Sequence, residues 1–334
     1  MPAAKNDFRV VTDTRSSEWW LWLVIPMIVA APVVPYAGLA WWVGQNRNVY
    51  FINGFTRPYT IAVRGQTLNL QPGQPTMCRM AEGDITLKGV DVDLSETCAI
   101  DSPFWSRPFD RRTFVVNPDR LANIVVEEIK YGSGSPQVHP RAKESHVGKL
   151  VHAFANIDHK FETFPANIRL TSSYVIKRRI AEEPFGNSYT RSITVAKHLS
   201  NEEQAEYARQ YLRMDPDDAT TLFWLTKLSS AESLMYDIKP HLAARPIRVA
   251  WHQTYLRVQE SLRPTDELRA EYEQLVNETG RAPEAVYLLA LLDEPATATK
   301  LFDEVATANP MSPYLMANLA HRELGRGEPQ IALQ

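Results

Sequence analysis

The longest uncharged stretch of the chain lies near its N-terminus and constrains the fold more than any other feature. The twenty-five residues 19–43 carry no charge, whereas a helix needs only about 20 residues to cross the roughly 30 Å hydrocarbon core of a bilayer. The stretch predicts one transmembrane helix over residues 19–43, which follows an N-terminal tail of residues 1–18 and anchors the chain in a lipid bilayer. Tryptophans, typical of a membrane–water boundary, stand at both ends: Trp19, Trp20, Trp22, Trp41 and Trp42.

Two other interpretations of this stretch are a buried core helix and a cleaved signal peptide. The run is longer than the apolar part of a signal peptide and ends in tryptophans instead of small residues, which argues against cleavage. Basic residues flank both ends in nearly equal number, so the rule that positive loops stay in the cytoplasm leaves the orientation open. We expect a single-pass protein of a bacterial inner membrane whose body is external, in the periplasm.

The remainder of the chain has the composition of an ordinary globular protein. Apolar residues make up 44% of the sequence, charged residues make up 22%, and the net charge is −3. This balance excludes a general electrostatic attraction to nucleic acid. A body of roughly 290 residues exceeds one typical core, so we expect two folding units.

The first unit has the sequence pattern of β-strands. Short runs rich in β-branched and aromatic residues, bounded by Gly, Pro or Asn, predict a β-sandwich over residues 47–131. The Arg64-Gly65 pair between two such runs predicts a hairpin turn. Residues 132–149 are rich in Gly, Ser, Pro and charge, which predicts a loop or linker. Alternating apolar residues then predict further β structure over residues 150–199.

Part of this unit resembles a known type of sandwich. From residue 58 to residue 87 the chain reads PYTIAVRG, then LQPG, then EGDITL. This order resembles the small bacterial surface sandwiches of the PEGA type, although the tetrapeptide that names them is absent. The resemblance implies the fold of the segment and no ligand.

The period of the apolar residues changes at residue 200. Ser200 and Glu203 have the spacing of a capping box, which marks the start of a helix. Beyond them, apolar residues recur at three- and four-residue steps, and short breaks with Pro or Gly separate the segments. The pattern predicts a series of helical hairpins over residues 200–334.

The end of this series resembles the tetratricopeptide repeat. In ATKLFDEVATANPMSPYLMANLAHRELGRGEPQIAL, Ala298 and Phe302 match the alanine and aromatic positions of a second helix, and Pro310 closes the unit. Gly327 matches the turn glycine of the next unit, whereas Met316 replaces the usual tryptophan. The resemblance implies an all-α solenoid, so the predicted fold class is a single-pass membrane helix, then a β-sandwich-like domain, then a tetratricopeptide-like solenoid.

The last ten residues supply a turn and only the start of a second helix. A repeat cannot bury its apolar face alone. We therefore expect either that the natural chain continues beyond Gln334 or that another subunit covers this end.

The sequence contains none of the common catalytic signatures. It has no Gly-rich phosphate loop, no G-x-S-x-G, no H-E-x-x-H and no C-x-x-C-H. We therefore predict no catalytic residue, no cofactor and no enzymatic activity.

Histidines cluster in one segment and suggest a secondary hypothesis. His139, His146, His152 and His159 account for half of the eight histidines, and imidazole is a ligand for zinc and other transition metals. Their spacing matches no common ligand pattern, so His146, His152 and His159 are minor candidates. They support an alternative function, an accessory subunit that binds a metal or redox centre.

Cys78 and Cys98 are the only cysteines. In an oxidising compartment a disulfide between them would contribute roughly 3 kcal/mol, whereas in a reducing one both would be small core residues, and the sequence leaves both alternatives open. Neither lies in a motif that marks an activated thiolate. Paired carboxylates are interpreted as exposed charge; these are Glu127-Glu128, Glu182-Glu183 and Glu202-Glu203.

The predicted function follows from the helical series. Stacked helical hairpins form a concave surface that typically binds a peptide or a helix of another protein. Arg248, His252 and Arg322 lie on the polar sides of their predicted helices and are the candidate partner-binding residues. We predict a non-catalytic, membrane-anchored scaffold or assembly subunit of a membrane-associated complex, whose partners are proteins and the lipid bilayer but no nucleic acid.

Overall fold

The computed structural model describes residues 21–132, 142–166, 168 and 174–308. Within those ranges the chain is a mixed α/β protein in which strands precede most of the helices. The strands are β1 (Arg47–Phe51), β2 (Tyr59–Val63), β3 (Gln66–Leu70), β4 (Thr76–Met80), β5 (Gly83–Gly89), β6 (Ser95–Ile100), β7 (Thr113–Val116), β8 (Ile124–Gly132), β9 (Ala142–His146), β10 (Val151–Phe154), β11 (His159–Lys160) and β12 (Tyr174–Glu182). The helices are α1 (Leu21–Gln45), the 3₁₀-helix Phe104–Phe109, α2 (Ser188–His198), α3 (Asn201–Met214), α4 (Ala219–Leu228), α5 (Ala231–Leu242), α6 (Val249–Gln259), α7 (Thr265–Glu278), α8 (Pro283–Ala290) and α9 (Pro295–Ala308).

Within the described ranges the strands form three four-stranded sheets with orders β10-β7-β1-β4, β11-β12-β8-β9 and β3-β2-β5-β6. Two pairs, β1 with β7 and β11 with β12, are parallel, and the other pairs are antiparallel. The hairpin between β2 and β3 turns at Arg64 and Gly65, whose φ angles of 45° and 78° are both positive, as the pair predicts. We predicted that the β-sandwich ends at residue 131. Two pairings, β7 with β10 and β8 with β12, join strands on opposite sides of that boundary.

Helices α2 and α3 belong to the same core as the sheets. Tyr207 and Tyr211 of α3 pack in one buried cluster with β-strand residues such as Phe51. The Tyr207 hydroxyl donates a 2.9 Å hydrogen bond to the Leu121 carbonyl before β8. The helical part is therefore not a separate solenoid, and the predicted fold class is wrong: these buried contacts join helices and sheets in one α/β fold.

The later helices share a second core. Helix α3 packs on α4, α5 on α6, and α8 on both α7 and α9, around buried side chains such as Trp251 and Tyr272. Helix α2 lies in the range where we predicted only β structure, and β9 lies in the predicted linker. Residues 309–334 carry much of the tetratricopeptide resemblance and lie outside the described residues.

Helix α1 covers most of the predicted transmembrane stretch 19–43. Its second half packs on the protein body, because the Tyr36 ring stacks on Trp105 with centroids 5.9 Å apart and Ala40 is fully buried.

No helix of the described residues combines the length and the apolarity that crossing a bilayer demands. The predictions of a transmembrane helix over residues 19–43 and of a single-pass inner-membrane protein are therefore wrong.

Candidate functional site

Many of the exposed large apolar side chains in the described residues lie on α1 and the 3₁₀-helix, and we call this surface the α1 face. The 3₁₀-helix contributes Trp105, which is 61% exposed, and Phe109, which is 76% exposed. Exposed apolar surface of this kind marks sites where a protein binds another molecule. The α1 residues of the face are Met27, Ile28, Val33, Val34, Leu39, Trp41 and Trp42; Trp19 and Trp20 lie outside the described residues.

A buried carboxylate fixes the α1 face to the sheets. Glu82, whose side chain is 3% exposed, makes ion pairs of 2.6 Å with Arg47 of β1 and 2.8 Å with Arg107 of the 3₁₀-helix. Its carboxylate also accepts a 2.6 Å hydrogen bond from the Ser102 hydroxyl, and its backbone N–H donates to the carbonyl of Gly44 in α1. One residue therefore connects the 3₁₀-helix and β1 through its side chain and α1 through its backbone.

A second candidate surface is a groove of about 360 Å³ between α3, α5 and α6. Arg209 in this groove pairs with Asp237 at 2.9 Å. Arg248 instead places its Nη1 atom 2.8 Å from the Nδ1 atom of His241 and makes no salt bridge with any residue that the structure describes. The groove therefore presents a cation that an acidic group of a partner can approach, beside Tyr236, which is 83% exposed.

The contact between Arg248 and His241 gives a prediction for the groove. Burial, followed by the nearby Arg248 charge, lowers the pKa of the His241 imidazole. Arg248→Ala removes the charge and opens the site to water, so the pKa of His241 should rise. An NMR titration of the His241 ring measures the change. Arg257→Ala, an exposed change on the same helix, should leave this pKa unchanged; an unaltered value in Arg248→Ala would contradict the geometry.

Two of the three candidate partner-binding residues are described, and these two do not lie on one exposed surface. Arg248 lines the groove, whereas His252 is buried and its Nδ1 atom lies 2.9 Å from the Tyr272 hydroxyl. Burial is the main cause that lowers the pKa of His252 to about 4. Arg322 lies outside the described residues.

Two of the clustered histidines are neighbours. The rings of His146 and His152 lie 6.0 Å apart, and the Nε2 atoms of both are buried without a hydrogen-bond partner among the described residues. Burial lowers the pKa of His152 to about 4. His159 packs against Phe164, and His139 lies outside the described residues. No group of three or more His, Cys, Asp or Glu within the described ranges is arranged to hold a metal ion.

The two cysteines lie in different sheets. Cys78 in β4 and Cys98 in β6 are buried and free. Burial raises the pKa of both thiols. Both act as core residues in this structure.

The sequence analysis did not identify one acidic site, which contains Glu182 and Asp119. Glu182, which we took for exposed charge, has a pKa raised to about 7 by burial and by the charge of Asp119. Asp119 is fully buried, its own pKa is raised to about 6 by burial, and it accepts hydrogen bonds from the Tyr59 hydroxyl and the Gly54 backbone. Strand periodicity contained a signal, because Glu182 is two residues from the buried Ile180 and lies on the same face of β12.

Comparisons of the chain with family models, with curated proteins and with solved structures give no match. The tetratricopeptide-like and PEGA-like resemblances therefore stay predictions. The assignment of function rests on the geometry described above.

Proposed function

We propose that this protein is a non-catalytic assembly subunit that binds a partner protein through the α1 face. The observation that carries the proposal is the exposure of large aromatic and aliphatic side chains on α1 and the 3₁₀-helix. Folded monomers rarely expose contiguous apolar patches larger than a few hundred Å² unless the patch binds something. Trp, Phe and Met are also enriched at protein–protein interfaces.

The α1 face is held in place before any partner arrives. Trp105 stacks on Tyr36, and the ion pairs of Glu82 fix the 3₁₀-helix against β1. A surface ordered in this way loses little conformational entropy on binding, which favours affinity. Exposed tryptophans on such a surface are the residues that most often dominate binding energy.

The partner's complementary surface should be apolar, such as the apolar side of an amphipathic helix. Helices commonly bind by placing one apolar face against another apolar surface. The groove at Arg248 offers a second, polar contact, where a charge-assisted hydrogen bond to a partner carboxylate would contribute about 1.5 to 3 kcal/mol.

Site-specific photo-crosslinking in cells tests this proposal. We expect p-benzoylphenylalanine in place of Trp42 to give a covalent adduct with another protein, visible as a shifted band on a gel and identified by mass spectrometry. The same probe in place of Tyr189, which is 70% exposed on α2, serves as the matched control and should give no such band. Adducts at position 42 that contain only lipid, or only a second copy of this chain, would contradict the proposal.

A further inference from the structure

A cleft of about 180 Å³ lies where the end of β12 and the start of β8 meet the loop before α2. Glu182, Glu183 and Asn123 lie together in its lining and form what we call the polar end. The rest of the lining includes the apolar residues Phe55, Pro72, Pro184 and Phe185, and also Arg191. The cleft is therefore suited to a ligand with an apolar stem and a polar tip.

The polar end contains hydrogen-bond acceptors without donors. Asn123 is 4% exposed, and neither its Oδ1 atom nor the Oε2 atom of Glu182 has a hydrogen-bond partner among the described residues. The Asn123 Nδ2 atom instead donates to Glu183 at 3.4 Å. Buried acceptors that stay unpaired are costly, and most native proteins avoid them. The two oxygens indicate that a donor belongs in the cleft.

Charge at the polar end points to a cationic donor. Neither Glu182 nor Asp119 makes an ion pair with a residue that the structure describes. The nearby cations have other partners, because Lys143 lies 2.5 Å from Glu183 and Arg191 contacts Tyr211 and Asp218. The raised pKa of Glu182, caused by burial and then by Asp119, is consistent with the lack of an ion pair at this carboxyl.

We propose that the cleft binds a primary alkylammonium group, with Glu182 Oε2 and Asn123 Oδ1 accepting its N–H donors. An ammonium group has three donors and no acceptor, which matches a polar end built from oxygens. The phenylalanine and proline walls pack the aliphatic stem, and an aromatic ring attracts a nearby cation. The volume admits the tip of a lysine side chain or a small free amine.

Binding of an ammonium group should depend on pH. The cation favours the ionised form of Glu182, so below about pH 7 its binding releases a proton. The other charged groups around Glu182 are Asp119 before β8, the Glu183–Lys143 pair at β9, and Arg191 of α2. Because Glu182 is mostly protonated at pH 6 and mostly ionised at pH 8, affinity for the cation should rise about tenfold between these pH values.

Protein-detected NMR tests the proposal with butylammonium and with Nα-acetyl-lysine methylamide. The reporter is the backbone amide of Gly73, which lines the cleft together with Glu182. Both probes should shift this signal to saturation, whereas butanol and Nα-acetyl-norleucine methylamide, which lack the charge, should bind at least tenfold more weakly. The tighter of the two charged probes distinguishes a free amine from a lysine side chain as the ligand.

Matched variants separate the cleft from general charge. Glu182→Gln should weaken binding of both charged probes at least tenfold. Glu128→Gln, which alters a carboxylate of the same sheet that is paired with Arg178 at 3.0 Å, should leave binding unchanged. Equal binding of charged and neutral probes, or unchanged binding in Glu182→Gln, would overturn the proposal. The pH dependence of the affinity for the charged probes in the unaltered protein tests the same proposal without any variant.

Discussion

Replacement of Glu82 by alanine should lower the free energy of unfolding by about 3 to 5 kcal/mol, the range found when one partner of a buried ion pair is removed. The physical reason is that Arg47 and Arg107 lose their shared carboxylate while both guanidinium groups remain largely buried. Arg47 keeps a second contact with Asp110 at 3.3 Å, which limits the loss. Urea denaturation followed by circular dichroism measures the change.

A surface pair provides the control for this prediction. Glu96 and Arg120 lie 2.6 Å apart but are partly exposed, so Glu96→Ala should cost less than about 1 kcal/mol. A similar loss of stability in both variants would mean that burial does not set the strength of the Glu82 contacts.

Loss of Glu82 should also affect the α1 face. Arg107 connects Glu82 to the 3₁₀-helix, which presents Trp105 and Phe109. Glu82→Ala should therefore weaken partner crosslinking under conditions where the variant is still folded. This result would link the stability of the network to the proposed function.

Local patterns in the sequence predicted several individual elements. Tyr59, Ile61 and Val63 alternate with partly exposed residues along β2, as a half-buried strand requires. The capping box is present, because the Ser200 backbone N–H donates to the Glu203 carboxylate at 2.8 Å and the Glu203 N–H lies 3.4 Å from the Ser200 hydroxyl oxygen. Such features depend on neighbours a few residues away, so sequence spacing suffices to find them.

Pairings between distant segments had no comparable signal. Val49 of β1 pairs with Phe114 of β7 in parallel, and Tyr207 of α3 reaches Leu121 near β8. These contacts join elements far apart in the chain, and no residue spacing encodes which strand or helix becomes the neighbour. We therefore predicted separate β and α units where the structure has one connected fold.

The errors at α1 and at Glu182 share a physical cause. An absence of charge over residues 19–43 indicates an apolar segment but does not identify what the segment packs against, and Tyr36 packs on Trp105 of the protein body. A charged residue type likewise suggests exposure, yet Glu182 lies on the same face of β12 as the buried Ile180. In both cases the surroundings come from tertiary packing, which overrides the preference of the residue type.

The buried carboxyl of Glu182 should also control how stability changes with pH. Its pKa is raised to about 7 in the folded protein, from 4.5, so between these values the folded state binds a proton that the unfolded state lacks. Stability contributed by this group is present below about pH 4.5 and is lost as the pH rises through about 7. At about 1.4 kcal/mol per pKa unit, the loss is on the order of 3 kcal/mol.

Two buried histidines change the stability with pH in the direction opposite to Glu182. The pKa values of His152 and His252 are lowered to about 4 by burial, from 6.5. Between about pH 4 and pH 6.5 the unfolded state therefore binds their protons, and stability falls as the pH drops through that window. The pKa of the buried Asp119 is likewise raised, from 3.8 to about 6, so two carboxyls oppose the two histidines between about pH 4.5 and pH 6, and the unaltered protein should show only weak pH dependence there.

Glu182→Gln separates the two contributions, because glutamine keeps the shape of a protonated carboxyl and cannot ionise. Urea denaturation should give similar stabilities for the variant and the unaltered protein at pH 5. At pH 8 the variant should be more stable by on the order of 3 kcal/mol, since it avoids burying a charge beside Asp119. Glu128→Gln, whose parent carboxylate is paired with Arg178, should show no such gain. A difference that stays constant from pH 5 to pH 8 would show that Glu182 does not titrate within this range.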